Sequence, residues 1–283
     1  MSEPSENPRK GAIIFPCLLT TGGMFFGFYA IMAALSGSYQ QGAMAILVAG
    51  VFDGLDGRVA RAMNATSAFG KEYDSLADFL SFGIAPAVLI HQWALTPFAR
   101  VGWAGAFLFA VCGALRLARF NVQKAAPIEA VAKRYFQGLP IPAAAGVLAA
   151  TVLFYVDLGI APAAGRAEAG ISEFWRWLPL VLVYALGILM VSGIRFRSFK
   201  EFNWHRKRPF FTLVAAVIFI TVLTIHMAVT LFAVGWAYLL SAYSSHREYR
   251  RLLAEGEEEE EDEVKEFNEA EHDAEPESDN RHA

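Results

Sequence analysis

Cysteine and charge are both scarce in this chain. Of 283 residues two are cysteine, Cys17 and Cys112, and only 18% are charged, against 55% hydrophobic and 13% aromatic. Neither cysteine has a neighbour at ligand or redox spacing and each lies in an apolar run, so the pattern offers no disulfide framework and no zinc site, and both are expected to pack. A soluble domain carries about 25% charged residues. With fewer than that, and with the apolar residues gathered into blocks, the chain is excluded from the ordinary soluble class. No cleavable leader is expected either: Met1 to Lys10 is polar and contains proline, and the apolar stretch after it is of full membrane length, so the first span is expected to remain in the mature protein.

What is present is a series of runs long enough for a hydrocarbon core of roughly 30 Å at 1.5 Å per residue. Eight spans are predicted, at 12–35, 41–62, 71–93, 101–120, 140–157, 176–193, 210–228 and 230–245, with the turn between the last two near Thr230. The fold class is therefore all-α, a polytopic membrane helical bundle. The chain divides into three parts: a cytoplasmic segment 1–11, a membrane domain 12–246 and an acidic tail 247–283 expected to be disordered. With the amino terminus inside, all of the 24 lysines and arginines except Arg100, Arg166 and Arg176 fall on the cytoplasmic side, the positive-inside signature, and both termini are cytoplasmic. Trp93, Trp103, Trp175 and Trp177 mark the outer ends of their spans and are read as an interfacial belt. The formal net charge of −4 hides an asymmetry, because the tail carries most of the acids. The membrane domain is basic, and its inner face should favour anionic lipid headgroups.

Against this background four aspartates stand out. Asp53 and Asp56 share one helical face near the inner end of the second span, and Asp74 and Asp78 share another at the start of the third. Asn64, Thr66 and Ser67 suit a short turn that ends one helix and caps the next. Two antiparallel helices joined this way bring the four carboxylates into one pocket. Carboxylates at that density need a cation, and oxygen-only ligation selects a hard one: Mg2+ first, then Mn2+ or Ca2+. Such an ion takes phosphate oxygens as companions. Gly57, Ala60 and Gly70 lack bulk and would let a ligand lie against the backbone, although Gly57 and Gly70 could also serve helix packing and turning. Arg61 can offer its planar fork to a phosphate or a nucleobase carbonyl.

Written out, the stretch is Asp53-x-x-Asp56-Gly57-x-x-Ala60-Arg61, eight residues, then Gly70-x-x-x-Asp74-x-x-x-Asp78. At all eight positions it resembles the signature of the CDP-alcohol phosphotransferases, membrane enzymes that join a cytidine-diphosphate-activated group to an alcohol. The resemblance implies a six-helix core, here with two further helices, and a homodimer in the bacterial inner membrane. It further implies that Asp53, Asp56 and Asp74 bind divalent metal, Mg2+ or Mn2+ and two ions in number. Asp78 would stand near the second ion as general base, while Gly57, Ala60, Arg61 and Gly70 would cradle the CDP moiety. Three further segments, 115–121, 136–142 and 190–200, look like those of the phosphatidylserine synthases within the family. The implied substrates are CDP-diacylglycerol and L-serine, with no nucleic acid involved. Arg116, Arg119, Asn121 and Arg195 are the candidates for binding serine, and the three arginines, as basic residues at inner helix ends, are also readable as topology anchors. Choline, glycerol 3-phosphate or an inositol phosphate is the alternative acceptor. An ion-coupled transporter is the alternative from another class, disfavoured because the acids sit at the membrane edge and are not duplicated.

Overall fold

The computed structural model describes residues 14–63, 65, 67–123, 135–160, 173–197 and 209–241. Within them the chain is helical apart from one small ribbon. The helices are α1 (Ile14–Leu35), α2 (Tyr39–Ala62), α3 (Ala68–Asp78), α4 (Ala85–Ile90), α5 (Ala99–Gln123), α6 (Ile141–Asp157), α7 (Glu173–Val191), α8 (Pro209–Ile225) and α9 (Met227–Ser241). Strands β1 (Tyr135–Gln137) and β2 (Arg195–Arg197) pair antiparallel. Ile14–Leu35 and the run Ala68–Val122 are long and apolar enough to cross a membrane, while Ile141–Asp157, Trp177–Val191 and Met227–Ser241 are apolar but shorter. The long run is not one rod. A 3-10 turn at Thr96–Phe98 and a left-handed Ala99 (φ 46°) break it where the sequence predicts an outer turn.

Burial separates two surfaces. The core is rich in alanine, including Ala30, Ala34, Ala43, Ala49, Ala144 and Ala149, and small residues allow helices to approach closely where lipid supplies no hydrophobic drive. The outside is the apolar side: Phe25, Phe28, Met32, Phe107, Val181 and Ile218 are all exposed. On a protein in water so much exposed apolar surface would drive association, whereas facing acyl chains it costs nothing.

Two of the sequence expectations need correction. Trp93 is only 1% exposed and packs edge-on against Tyr155 at 5.2 Å, so it belongs to the core and not to a lipid-facing belt. Trp103 and Trp177, at 62% and 57%, do face outward, as does Trp175. The cause is rotation about the helix axis, which places the ring of Trp93 toward α6. The second correction concerns the last pair of helices, whose break falls at His226 instead of near Thr230. The Thr230 hydroxyl reaches the Val222 carbonyl at 3.5 Å. Eight residues span about 12 Å in a straight helix, so that contact requires a sharp bend. The segment 1–11, the tail 247–283, Asn64 and Thr66 lie outside the described residues.

Candidate active site

The first half of α1, the second half of α2 and α3 build the site. Ser67 caps α3 by accepting from the Gly70 amide at 3.0 Å, which sets the angle at which α3 leaves the turn after α2. That angle brings the two acidic faces together. Carboxylate oxygens of Asp53, Asp56 and Asp74 lie within 4.8 Å of one another, and the carboxyl of Asp78 reaches that of Asp53. All four line a single small cavity of about 10 Å³. This is room for roughly one water-sized sphere. Asp78 ends α3, and the next six residues, Phe79–Ile84, form a π-helical turn. Ser81, within that turn, donates to the Gly23 carbonyl of α1 at 3.3 Å. Gly27 admits this approach, since a Cβ there would run into Ser81.

Whether a cation fits can be judged from the donors. Two like charges about 4.8 Å apart repel by roughly 3 kcal/mol at an effective dielectric of 20. Several such pairs share one cavity, so a divalent ion would offset part of that repulsion and suits the room, and the oxygen-only set matches a hard ion.

A second cavity, of about 200 Å³, opens beside the first and shares Thr20, Asp56 and Asp74 with it. Its walls include Gly57, Ala60, Arg61 and Gly70, every non-acidic position of the signature. The two glycines stand there for different reasons. At Gly70 a Cβ would press on the capping oxygen of Ser67 at 3.1 Å, a local structural demand. At Gly57 a Cβ would meet only the Arg61 guanidinium, at an ordinary 3.5 Å. Nothing in the fold requires glycine at 57, and its effect is to leave the cavity open.

Sequence reasoning missed the contribution of α1. Thr20 lies 2.7 Å from Asp56 Oδ2 and 3.1 Å from the Pro16 carbonyl, and its single proton serves the shorter, charge-assisted contact. Pro16 and Cys17 line the larger cavity, as does Lys71. No signal could have found Thr20, because a threonine in an apolar helix ordinarily bonds its own preceding turn. Of the cysteines, Cys112 is buried as expected, whereas Cys17 is partly exposed beside this cavity.

The three outlying segments also meet. The amides of Gly138 and Leu139 donate to the carbonyls of Ile194 and Leu189, at 2.9 and 3.1 Å, alongside the β1–β2 ribbon. Arg119 Nη1 donates to the Val191 carbonyl at 3.2 Å, tying α5 to the end of α7. Asn121 Nδ2 donates to Ser75 Oγ at 3.0 Å, next to Asp74 in sequence. Arg116 is buried and close enough to Asp78 for their charges to interact. Arg195 stands in β2 opposite Gln137, and its side chain lies outside the described part.

The profile of the CDP-alcohol phosphatidyltransferases matches residues 13–181, from the start of α1 into α7 and across both cavities. This chain belongs to the CDP-alcohol phosphatidyltransferase family. As a member of that family it is a transferase of membrane phospholipid synthesis, and the transporter alternative is set aside. Over 200 residues it is 38% identical to the CDP-diacylglycerol–serine O-phosphatidyltransferase of Helicobacter pylori strain ATCC 700392 / 26695, covering 71% of this chain and 78% of that protein. The enzyme of the same name from Bacillus subtilis strain 168 is 32% identical over 186 residues, 66% of this chain and 91% of the relative. The archaetidylserine synthase of Methanothermobacter thermautotrophicus is 34% identical over 188 residues, 65% and 70% of the two chains. The family thus supplies the context in which the aspartate cluster is to be read.

Proposed function

We propose that this chain is a CDP-diacylglycerol–serine O-phosphatidyltransferase, converting CDP-diacylglycerol and L-serine to phosphatidylserine and CMP. The observation that carries the chemistry is the pair of adjoining cavities, one lined by four carboxylates and the other by Gly57, Ala60, Arg61 and Gly70. The choice of serine rests on the activity named for the relatives.

In this reading Asp53, Asp56 and Asp74 hold divalent cation, Mg2+ or Mn2+, with Asp78 beside a second ion. When bound, such ions neutralise the diphosphate and align it for displacement. The remaining roles belong to the chain. Gly57 and Ala60 let the cytidine diphosphate lie against α2, Gly70 opens the facing turn, and Arg61 donates its fork to the nucleotide. Asp78 accepts the proton of the serine hydroxyl as its oxygen bonds to the phosphatidyl phosphorus in line with the leaving CMP oxygen. No covalent enzyme intermediate is needed. Arg116, Asn121 and Arg195 are the candidates on the serine side. Arg119, engaged on Val191, acts by fixing the segment that carries the others.

The same reading places eight spans in the bacterial inner membrane with both termini cytoplasmic, residues 12–246 as the catalytic membrane domain, 1–11 and 247–283 as cytoplasmic segments, and the protein as a homodimer. Purified protein given CDP-diacylglycerol, Mg2+ or Mn2+ and a panel of alcohols tests it. Release of CMP with phosphatidylserine as product is expected. Release with choline, glycerol 3-phosphate or an inositol phosphate, and none with serine, would reject the acceptor.

A further inference from the structure

Helix α3 carries two of the four carboxylates and has little packing to hold it. Of its eleven residues only Ala77 is buried. One methyl group removed from solvent contributes too little to fix the rotation of a helix, so polar contacts have to supply the rest. The Ser67 cap sets where α3 begins, yet a single bond at one end leaves rotation about the axis open.

Two further bonds close that freedom, one on each flank of Asp74. The Tyr73 hydroxyl lies 2.9 Å from Thr21 Oγ1 of α1. Thr21 donates to the Cys17 carbonyl, one turn back in its own helix, at 2.7 Å, so its single proton is engaged and the phenol is the donor of the pair. On the other flank Ser75 Oγ donates to the Lys71 carbonyl at 3.0 Å and accepts from Asn121 Nδ2 of α5 at 3.0 Å. Both tethers are built alike: a short hydroxyl anchored on its own preceding turn takes a proton from a longer side chain on another helix. At about 100° per residue Tyr73 and Ser75 stand about 200° apart around α3, and Asp74 and Asp78 fall in the arc between them, about 100° and 140° from Tyr73. The acidic face is thus held from both sides. Phe69, one turn before Tyr73, stacks on its ring with centroids 5.9 Å apart and planes 8° from parallel, which restricts where the phenol can swing. Cys17 and Thr20 of α1 and Gly70, Lys71 and Asp74 of α3 line the larger cavity, so the bond from Tyr73 joins two of the helices that enclose it.

We infer that Tyr73 is a positioning residue of the aspartate site, which through Thr21 fixes the rotation of α3 and holds Asp74 and Asp78 toward Asp53 and Asp56. The inference rests on the reading of the aspartates as cation ligands and deepens it. Like-charged carboxylates repel, and an untethered α3 would relieve that repulsion by turning its acids apart. A site assembled for only a fraction of the time binds with a dissociation constant raised by the inverse of that fraction. Tyr73 then governs metal affinity without touching the metal, and once the metal is bound its own bonds to the aspartates hold α3 in place.

Mn2+ binding to the purified full chain, followed through the EPR signal of the free ion, tests the inference alongside CMP release. Tyr73→Phe keeps the ring and its stack on Phe69 and removes only the hydroxyl. A neutral hydrogen bond is worth about 3- to 10-fold in an equilibrium constant, so the Kd for Mn2+ should rise by about that factor in Tyr73→Phe and in Thr21→Val. The double variant should bind no more weakly than either single one, because both remove the same bond. Thr21→Ser, which keeps the acceptor, should retain the wild-type Kd. Turnover of Tyr73→Phe should recover at saturating Mn2+. An unchanged Kd in Tyr73→Phe, penalties that multiply in the double variant, or a loss of turnover that saturating metal does not restore would overturn the inference, while Mn2+ binding by the wild type keeps the metal reading in place. A wild-type protein that binds no Mn2+ would overturn the reading and the inference together.

Discussion

Replacing Thr20 by valine removes one hydroxyl from the wall of the acidic cavity and almost nothing else. The hydroxyl lies 2.7 Å from Asp56 Oδ2, and Asp56 is 5% exposed, so water cannot readily take its place. A hydrogen bond to a charged group contributes about 1.5 to 3 kcal/mol. Two effects on a bound cation oppose each other. Without its donor the carboxylate oxygen is more basic and attracts the ion more strongly, but it is also free to rotate. In a cavity of about 10 Å³ shared by four carboxylates, position should dominate, because a turned Asp56 both loses the ion and approaches its like-charged neighbours. Partners that orient a ligand are generally worth about 10- to 100-fold in metal affinity. The expected outcome is a rise of that size in the Mn2+ or Mg2+ concentration giving half-maximal CMP release, with most of the turnover recovered at saturating metal. Thr20→Ser retains the hydroxyl and should restore the wild-type midpoint. A Thr20→Val enzyme with an unchanged metal titration would refute the reasoning, because Asp56 would then not need its partner to act.

Asp78→Asn should bind CDP-diacylglycerol about as well as wild type while CMP release falls by at least about 100-fold, and single-turnover assays beside lipid binding would separate the two effects. Gly57→Ala should show opposite signs in two measurements. Helix propensity favours alanine by about 1 kcal/mol and the protein leaves room for the methyl, so thermal stability should hold or rise, whereas the KM for CDP-diacylglycerol should increase. An unaltered KM would mean that no ligand lies there. Gly27→Val should destabilise the bundle by about 1 to 3 kcal/mol, read as a lowered unfolding midpoint in detergent, because its side chain meets Ser81 across the contact between α1 and the π-helical turn.

Much of the molecule obeys local rules. Apolar runs set most of the helices to within a few residues, the last pair excepted, because each needs only its own hydrophobicity and a polar turn to define it. The spacing of Asp53, Asp56, Asp74 and Asp78 needs only helical periodicity to put each pair on one face, and Ser67 caps α3 as its residue type suggests. The small residues Gly57, Ala60 and Gly70 and the cation Arg61 likewise announce a cavity by residue type alone, and the fold puts all of them around one.

Contacts between distant helices had no such signature. Thr20 is 36 residues from Asp56, and only the packing of α1 on α2 makes it a partner. Rotation about a helix axis, which sequence leaves free, decided that Trp93 is buried while Trp103 is exposed. Arg119, a candidate ligand, places one guanidinium nitrogen on a backbone carbonyl of α7, whereas Arg116, of the same type three residues earlier, is buried. The sequence by itself determined which residues carry charge and chemistry and which of them share a helical face, since both depend on neighbours within a turn or two. Which of them face one another was decided by the tertiary structure alone, through side-chain volumes packed between helices far apart in the chain.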